Sequence, residues 1–127
     1  MTKRNSPIAS QINTIFVHVS DLKRSVKWYA DLLGKNYDVS MVSKPVYNIE
    51  ITHHTGLTLD AGPEGEMKKP NPSDHPLFNF HTSDIDESYE YVTQLGCNVD
   101  SEIVRFEDFS FFTLRDPDHN VIMICTG

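Results

Sequence analysis

The chain has 127 residues, about the size of one ordinary domain, and 39% hydrophobic with 23% charged residues is a composition typical of a globular protein. Its formal net charge of −7 argues against a nucleic-acid partner, because phosphate backbones are bound through clustered Lys and Arg. The basic pairs are short and scattered: Lys3-Arg4, Lys23-Arg24 and Lys68-Lys69. No apolar run is long enough to cross a bilayer, so we expect no membrane partner.

The N-terminal stretch MTKRNSPIAS lacks the apolar core of a signal peptide. We therefore expect a cytoplasmic protein in which Cys97 and Cys125 stay reduced. Two cysteines without a metal-type spacing predict neither a disulfide framework nor a zinc site.

One sequence motif occurs twice in the chain. FVHVSDLKRSVKWY (residues 16–29) returns as NFHTSDIDESYEY (residues 79–91). Three anchor pairs are each separated by 63 positions: His18 and His81, Asp21 and Asp84, Ser25 and Ser88. A fixed offset of this kind predicts two half-domain modules, neither of which we expect to be stable alone.

Each copy reads as a strand followed by an amphipathic helix. Residues 12–19 are rich in β-branched side chains, and the apolar positions that follow Asp21 step by three or four. Asp21 is a candidate N-cap, and Gly34 can adopt the positive φ that ends a helix. Asp84 and Gly96 hold the same places in the second copy.

Three short apolar runs follow each helix. They lie at about 37–43, 46–53 and 56–61 in the first copy, and at about 97–104, 108–115 and 120–125 in the second. The chain thus predicts an α+β fold of two tandem βαβββ modules: a tail (1–11), then a single domain (12–127) made of module one (12–61), a proline-rich linker (62–76) and module two (77–127). Since one helix covers one face of a sheet, we expect the other faces to enclose a shared cavity.

The motifs V-S-D-L-x-x-S-V-x-W-Y-x-x-L-L-G at 19–34 and D-P-D-H-N-V-I-M-I at 116–124 resemble the vicinal oxygen chelate superfamily. That superfamily includes glyoxalase I, extradiol dioxygenases, and fosfomycin and bleomycin resistance proteins. The resemblance covers nearly the whole chain and implies the glyoxalase/bleomycin resistance-like fold, a curved sheet around a cavity. It also implies a homodimer with sites shared between chains.

The resemblance further identifies the positions of the family's metal ligands. They fall on Thr14, Leu59, Leu77 and Met123. Leucine has no lone pair for a metal, a thioether is a soft ligand, and a threonine hydroxyl alone is a poor one. The resemblance therefore implies a metal-free small-molecule-binding protein, similar in form to the bleomycin resistance type, with no cofactor and no glyoxalase activity.

Alternation along a strand predicts the side chains that face the cavity. If Thr14 points inward, so do Phe16 and His18, and Asn79 and His81 hold the matching places. We interpret six residues as ligand-binding candidates: Thr14, Phe16, His18, Asn79, His81 and Met123. We assign no catalytic residue, and the partner predicted is a small organic molecule.

Three alternatives stay open at this point. Both histidines can be packing relics of the duplication, and the cavity can be filled, with the surface serving an interaction. The chain can also be a metal-dependent lyase or dioxygenase with a relocated metal held by His18, His81 and Glu50, because two imidazoles and a carboxylate suffice chemically.

Overall fold

The computed structural model describes residues 5–127, so the Lys3-Arg4 pair lies outside the described residues. Module one contains β1 (Thr14–His18), α1 (Leu22–Leu33), β2 (Val46–Glu50) and β3 (Gly56–Asp60). Module two contains β4 (Asn79–His81), α2 (Ile85–Gln94), β5 (Asn98–Val99), β6 (Val104–Arg105), β7 (Ser110–Arg115) and β8 (Val121–Cys125). Both modules repeat the order strand, helix, strands, which confirms the predicted α+β fold. None of the helices within residues 5–127 combines the length and the hydropathy that a membrane span requires.

The helices begin and end where the sequence predicts. The Asp21 carboxylate accepts a hydrogen bond from the Arg24 amide, and Gly34 ends α1 with φ 66°. The Asp84 carboxylate accepts from the Glu87 amide at the start of α2. These caps satisfy amide groups that have no partner inside a helix.

Two sheets form, one in each module. The strand order is β1-β3-β2 in the first and β4-β8-β7-β5 in the second, with β6 also paired to β7. The first strand of each module runs parallel to its last strand. One face of each sheet packs against the module's helix, with buried side chains such as Val17 and Leu57 in module one and Phe112 in module two. We call the opposite face of each sheet, which lies away from the helix, the open face.

Two predicted strands differ from the structure. Residues 37–43 form a short 3-10 turn (Val39–Met41), because the Asp38 carboxylate accepts from both the amide and the hydroxyl of Ser40 and closes the chain into a turn. The run at 97–104 is split into β5 and β6 by a bend at Asp100, where two successive amides donate to the Thr113 carbonyl.

The turn at residues 116–120, here called the clasp turn, joins the two modules. Asp116 is its centre, with one carboxylate oxygen accepting from the amides of Asp118 and Asn120, both at 2.9 Å. The other carboxylate oxygen accepts from the Tyr29 hydroxyl of α1 at 2.7 Å. Burial, followed by the negative charge of Asp116, raises the pKa of Tyr29 well above its usual value. Tyr29 therefore holds its proton and remains a donor to the carboxylate.

The clasp turn also contacts the end of β1 and the start of α1. The Asp118 carboxylate accepts from the Ser20 hydroxyl at 2.5 Å and from the Ser20 amide at 3.1 Å, and it lies 3.5 Å from the Arg24 guanidinium. Asn120 donates from its side-chain amide to the His18 carbonyl at 3.2 Å. Three polar side chains of module two are thus buried against module one with partners, which is the condition for their burial to be tolerated.

Candidate functional site

The open face of module one carries three of the predicted ligand-binding residues. Thr14, Phe16 and His18 alternate with buried neighbours on β1, so they share the face that points away from α1. Phe16 is 61% exposed, which is high for an aromatic side chain in the middle of a strand. This face therefore presents an apolar ring and an imidazole to whatever lies above it.

His18 belongs to a polar cluster with Lys68 and Asp60. The Lys68 ammonium lies 2.7 Å from His18 Nδ1 and 3.2 Å from an Asp60 carboxylate oxygen. Because an ammonium has no lone pair, it donates to Nδ1, and the neutral ring then carries its proton on Nε2. The Gly62 amide, and after it Lys68 and His18, lower the pKa of Asp60, so its carboxylate stays ionised and holds Lys68 in place.

The open face of module two carries Leu77, Asn79 and Met123. Asn79 is paired with Met123, and residues paired in this way point to the same side of a sheet. Leu77 is 44% exposed, and Asn79 is exposed as well. His81 ends β4 two residues after Asn79 and is paired with Cys125, so it shares the open face, and it also borders a cleft beside α2. His18 instead contacts Lys68.

The register overturns one predicted position. Leu59 is paired with Val17, is 0% exposed and packs beneath α1, so it does not point toward the open face. Thr58 takes that place, because it is paired with Phe16 in the same way that Met123 is paired with Asn79. The Thr58 hydroxyl donates to the side-chain oxygen of Asn48 at 3.1 Å.

The structure does not assemble the relocated metal site of His18, His81 and Glu50 within one chain. Antiparallel pairing puts Glu50 beside Gly56, at the end of the sheet opposite His18, about 13 Å away along the strands. His81 lies in the other sheet. Across residues 5–127, no three His, Cys, Asp or Glu side chains are grouped closely enough to hold a metal ion.

The residues at the family's metal positions do not fit a divalent cation. With the register corrected, the four side chains are Thr14, Thr58, Leu77 and Met123. They offer two neutral hydroxyls, one thioether and one hydrocarbon, whereas such ions are held by imidazole, carboxylate or thiolate.

Sequence reasoning missed the position of Lys68. It lies in the linker, far along the chain from His18, and a Lys-Lys pair in a proline-rich stretch gives no sign of its partner. The clasp turn was visible as D-P-D-H-N, which predicts a tight turn. Its role in joining the modules had no local signal, since Tyr29 and Asp116 are 87 positions apart.

The sequence is similar to those of known proteins. The profile of the Glyoxalase/Bleomycin resistance protein/Dioxygenase superfamily matches residues 11–124. Among curated proteins, the uncharacterized protein YraH of Bacillus subtilis (strain 168) is 24% identical over 115 residues, which cover 84% of this chain and 90% of YraH. The match thus spans most of both chains.

Solved structures show the same fold. The oxidase ChaP-H1 superimposes with a TM-score of 0.67 at 22% identity, covering 94% of this chain and 97% of its own. The lactoylglutathione lyase of Agrobacterium tumefaciens gives a TM-score of 0.68 at 15% identity, covering 93% and 94%. With the profile matched from Gln11 to Ile124 and the repeated modules in place, the chain belongs to the Glyoxalase/Bleomycin resistance protein/Dioxygenase superfamily.

Proposed function

We propose that this protein binds a small organic molecule on its open face without a divalent metal, as a sequestering protein similar in form to the bleomycin resistance type. The observation that carries the proposal is the composition of that face. The positions that would hold a metal are Thr14, Thr58, Leu77 and Met123, while Phe16 and the His18 cluster lie beside them. An apolar surface with a few fixed polar groups is typical of small-molecule sites.

The ligand we propose is an aromatic carboxylate or a similar aromatic anion. The exposed Phe16 ring offers a surface for stacking. His18 Nε2–H is oriented by the Lys68 contact and is free to donate to a ligand oxygen. The Lys68 ammonium adds positive charge beside His18, and the Asp60 carboxylate 3.2 Å from it offsets part of that charge.

We further propose that a second copy of the chain covers the open faces, giving a homodimer. Four large apolar side chains of these faces are exposed by 44–61%: Phe16, Val46, Leu77 and Phe106. Phe106 also stacks against Phe111, which is paired with Cys125 on the same face. Apolar surface of this extent favours association, and module one of one copy facing module two of the other would close the site on both sides.

Sedimentation equilibrium tests the dimer with a matched pair of variants. Phe16→Glu puts a charge into the proposed interface and should give a monomer. Met41→Glu introduces the same charge at a 71% exposed site in the 3-10 turn, which belongs to neither sheet, and should leave a dimer. A wild-type protein that sediments as a monomer at all concentrations contradicts the proposal.

Calorimetric titration tests the ligand class, with 2-naphthoate as the probe and 2-naphthylmethanol as its uncharged analogue. The wild type should prefer the carboxylate, and His18→Gln should weaken its binding about tenfold or more, because a hydrogen bond to a charged group contributes about 1.5 to 3 kcal/mol. His81→Gln, at the repeat position, shows whether the histidine of module two contributes. Equal affinity of the wild type and His18→Gln for 2-naphthoate rejects His18 as a binding residue.

Elemental analysis of the purified protein tests the metal-free proposal. We expect no zinc, nickel, iron or manganese in stoichiometric amount, because two hydroxyls, a thioether and a hydrocarbon do not hold these ions. About one tightly held metal per chain would favour a metal-dependent lyase or dioxygenase instead. Turnover of methylglyoxal with glutathione that a chelator abolishes would have the same meaning.

A further inference from the structure

A cleft of about 490 Å³ lies beside α2, between that helix and the end of α1. Its floor is apolar and comes from both modules, with Leu32 and Leu33 from the end of α1 and Phe80 and Ile124 from the second sheet. Its volume falls within the range of small-molecule sites.

The cleft occupies the position in module two that the clasp turn fills in module one. The clasp turn contacts His18, Ser20, Arg24 and Tyr29, and the residues 63 positions later are His81, Ser83, Glu87 and Val92. Three of these four, His81, Glu87 and Val92, line the cleft. The duplicated helix therefore presents the same side in both modules, but only α1 has a turn packed against it.

Two substitutions between the repeats set the chemistry of the cleft. Val92 stands where Tyr29 fills the space in module one, so module two has less side-chain volume and no hydroxyl there. Glu87 stands where Arg24 faces the acidic clasp turn, so the charge is reversed. Where module one accepts an acidic group, module two is suited to a basic one.

The charges around the cleft agree with this reversal. Asp84, Glu87 and Glu90 line it, and among the described lining residues none is Lys or Arg. The Tyr91 ring stands at the rim, where its hydroxyl donates to the Asp31 carbonyl and links α2 to α1. An aromatic ring beside carboxylates favours an organic cation through both cation–π and ionic attraction.

We propose that this cleft is a second binding site, for a small organic cation that combines an amine with an apolar body. The apolar part rests on the floor between Leu33 and Phe80, and the ammonium lies toward Glu87 and Tyr91. The lining of this site includes neither Phe16 nor His18, and His81 is the one open-face candidate that borders both sites.

The test uses 2-phenylethylamine as the probe and 2-phenylethanol as its neutral analogue. Calorimetry should show saturable binding of one amine per chain, about fivefold tighter than the alcohol, as expected for one partly exposed ion pair. Amide chemical shifts should change along α2 and β4 and stay unchanged at Phe16 and His18. Equal affinities, no saturable binding at millimolar amine, or shifts confined to the open face would each overturn the proposal.

Variants of Glu87 test the assigned charge without disturbing the core, since this side chain is exposed. Glu87→Gln should weaken amine binding about threefold and Glu87→Arg about tenfold, with binding of 2-phenylethanol unchanged in both. Glu102 is exposed and does not line the cleft, so Glu102→Gln and Glu102→Arg are the matched controls and should bind like the wild type. Equal effects at Glu87 and Glu102 would show a general charge effect and reject the site.

Discussion

Helices α1 and α2 belong to the two copies of the same sequence repeat, but their surroundings differ. The side of α1 that carries Tyr29 is packed against the clasp turn, and Tyr29 is 0% exposed. The same side of α2 borders an open cleft, and only Ile85 and Val92 are buried on that helix. The repeat preserved what each helix needs to form, namely its N-cap and apolar stripe. What changed are the side chains whose partners lie in the other module.

The two turns explain the difference. The clasp turn carries Asp116, Asp118 and Asn120, whose side chains organise the turn and reach module one. The turn between β2 and β3, THHTG at 52–56, contains no Asp or Asn, and its two histidines are exposed. This turn therefore offers no buried carboxylate that could accept hydrogen bonds from a neighbouring helix, as Asp116 does for α1. Variants that remove contacts between the clasp turn and α1, each with a matched change at the repeat position of the other module, test this difference.

Asp116→Ala should have the largest effect, a loss of about 3 to 5 kcal/mol in the free energy of unfolding, because several buried donors lose their acceptor at once. Urea unfolding followed by Trp28 fluorescence measures it. His53→Ala, 63 positions earlier in an exposed turn, is the control and should change stability by less than about 0.5 kcal/mol. Similar losses in both variants would show that the clasp turn has no special role.

Tyr29→Phe should cost about 2 kcal/mol at pH 7, since it removes a hydrogen bond to a buried carboxylate. The raised pKa of Tyr29 adds a pH dependence. Below the ordinary tyrosine value of 10.0 both the folded and the unfolded chain hold this proton. Above it the unfolded chain releases the proton first, so wild-type stability falls as pH rises toward the folded pKa.

The variant lacks this contribution, so the stability gap between wild type and Tyr29→Phe should narrow above about pH 10. Unfolding curves at several alkaline pH values measure the gap. Tyr91→Phe keeps Tyr29 and should retain the wild-type alkaline decline. A gap that stays constant across this range would mean that folding does not raise the pKa of Tyr29.

Exchanging the charges at the repeat positions should have the smallest effect. Arg24→Glu places a carboxylate beside Asp118, whose side chain is 6% exposed, and should destabilise the protein by about 1 kcal/mol. Glu87→Arg should change stability by less than about 0.5 kcal/mol, because no turn lies against α2 at that place. Thermal unfolding of the two variants gives the comparison. A larger loss from Glu87→Arg would reverse the assignment of the packed and open sides.

Much of the fold could be predicted from the sequence where the signal is local. The caps at Asp21 and Asp84 and the apolar stripes predict both helices, and alternation predicts that Thr14, Phe16 and His18 share a face. Prediction failed at residues 37–43, where the Asp38 side chain closes a turn inside an otherwise strand-like run. Two hydrogen bonds accepted by the Asp38 side chain outweighed weak strand propensity there.

The error at Leu59 has a simple geometric cause. From Phe16 to its partner Thr58 the chain advances 42 positions, and from Asn79 to its partner Met123 it advances 44. The offset between the repeats therefore grows from 63 at the first strands to 65 at the last. The prediction paired Met123 with Leu59 at an offset of 64, one residue away from the true partner Thr58. A shift of one residue moves a strand side chain to the opposite face of the sheet, so a core leucine was assigned to the site.

The sequence by itself determined the two modules and their helices, because caps and periodicity are properties of neighbouring residues. The side chain at one of the family's metal positions depended on the strand register, which replaces Leu59 with Thr58. Only the tertiary structure decided that Lys68 holds His18 and that the clasp turn packs against α1. It also decided that an acidic cleft remains open beside α2. These features join residues 50 to 102 positions apart or depend on space left unfilled, and neither leaves a local pattern in the chain.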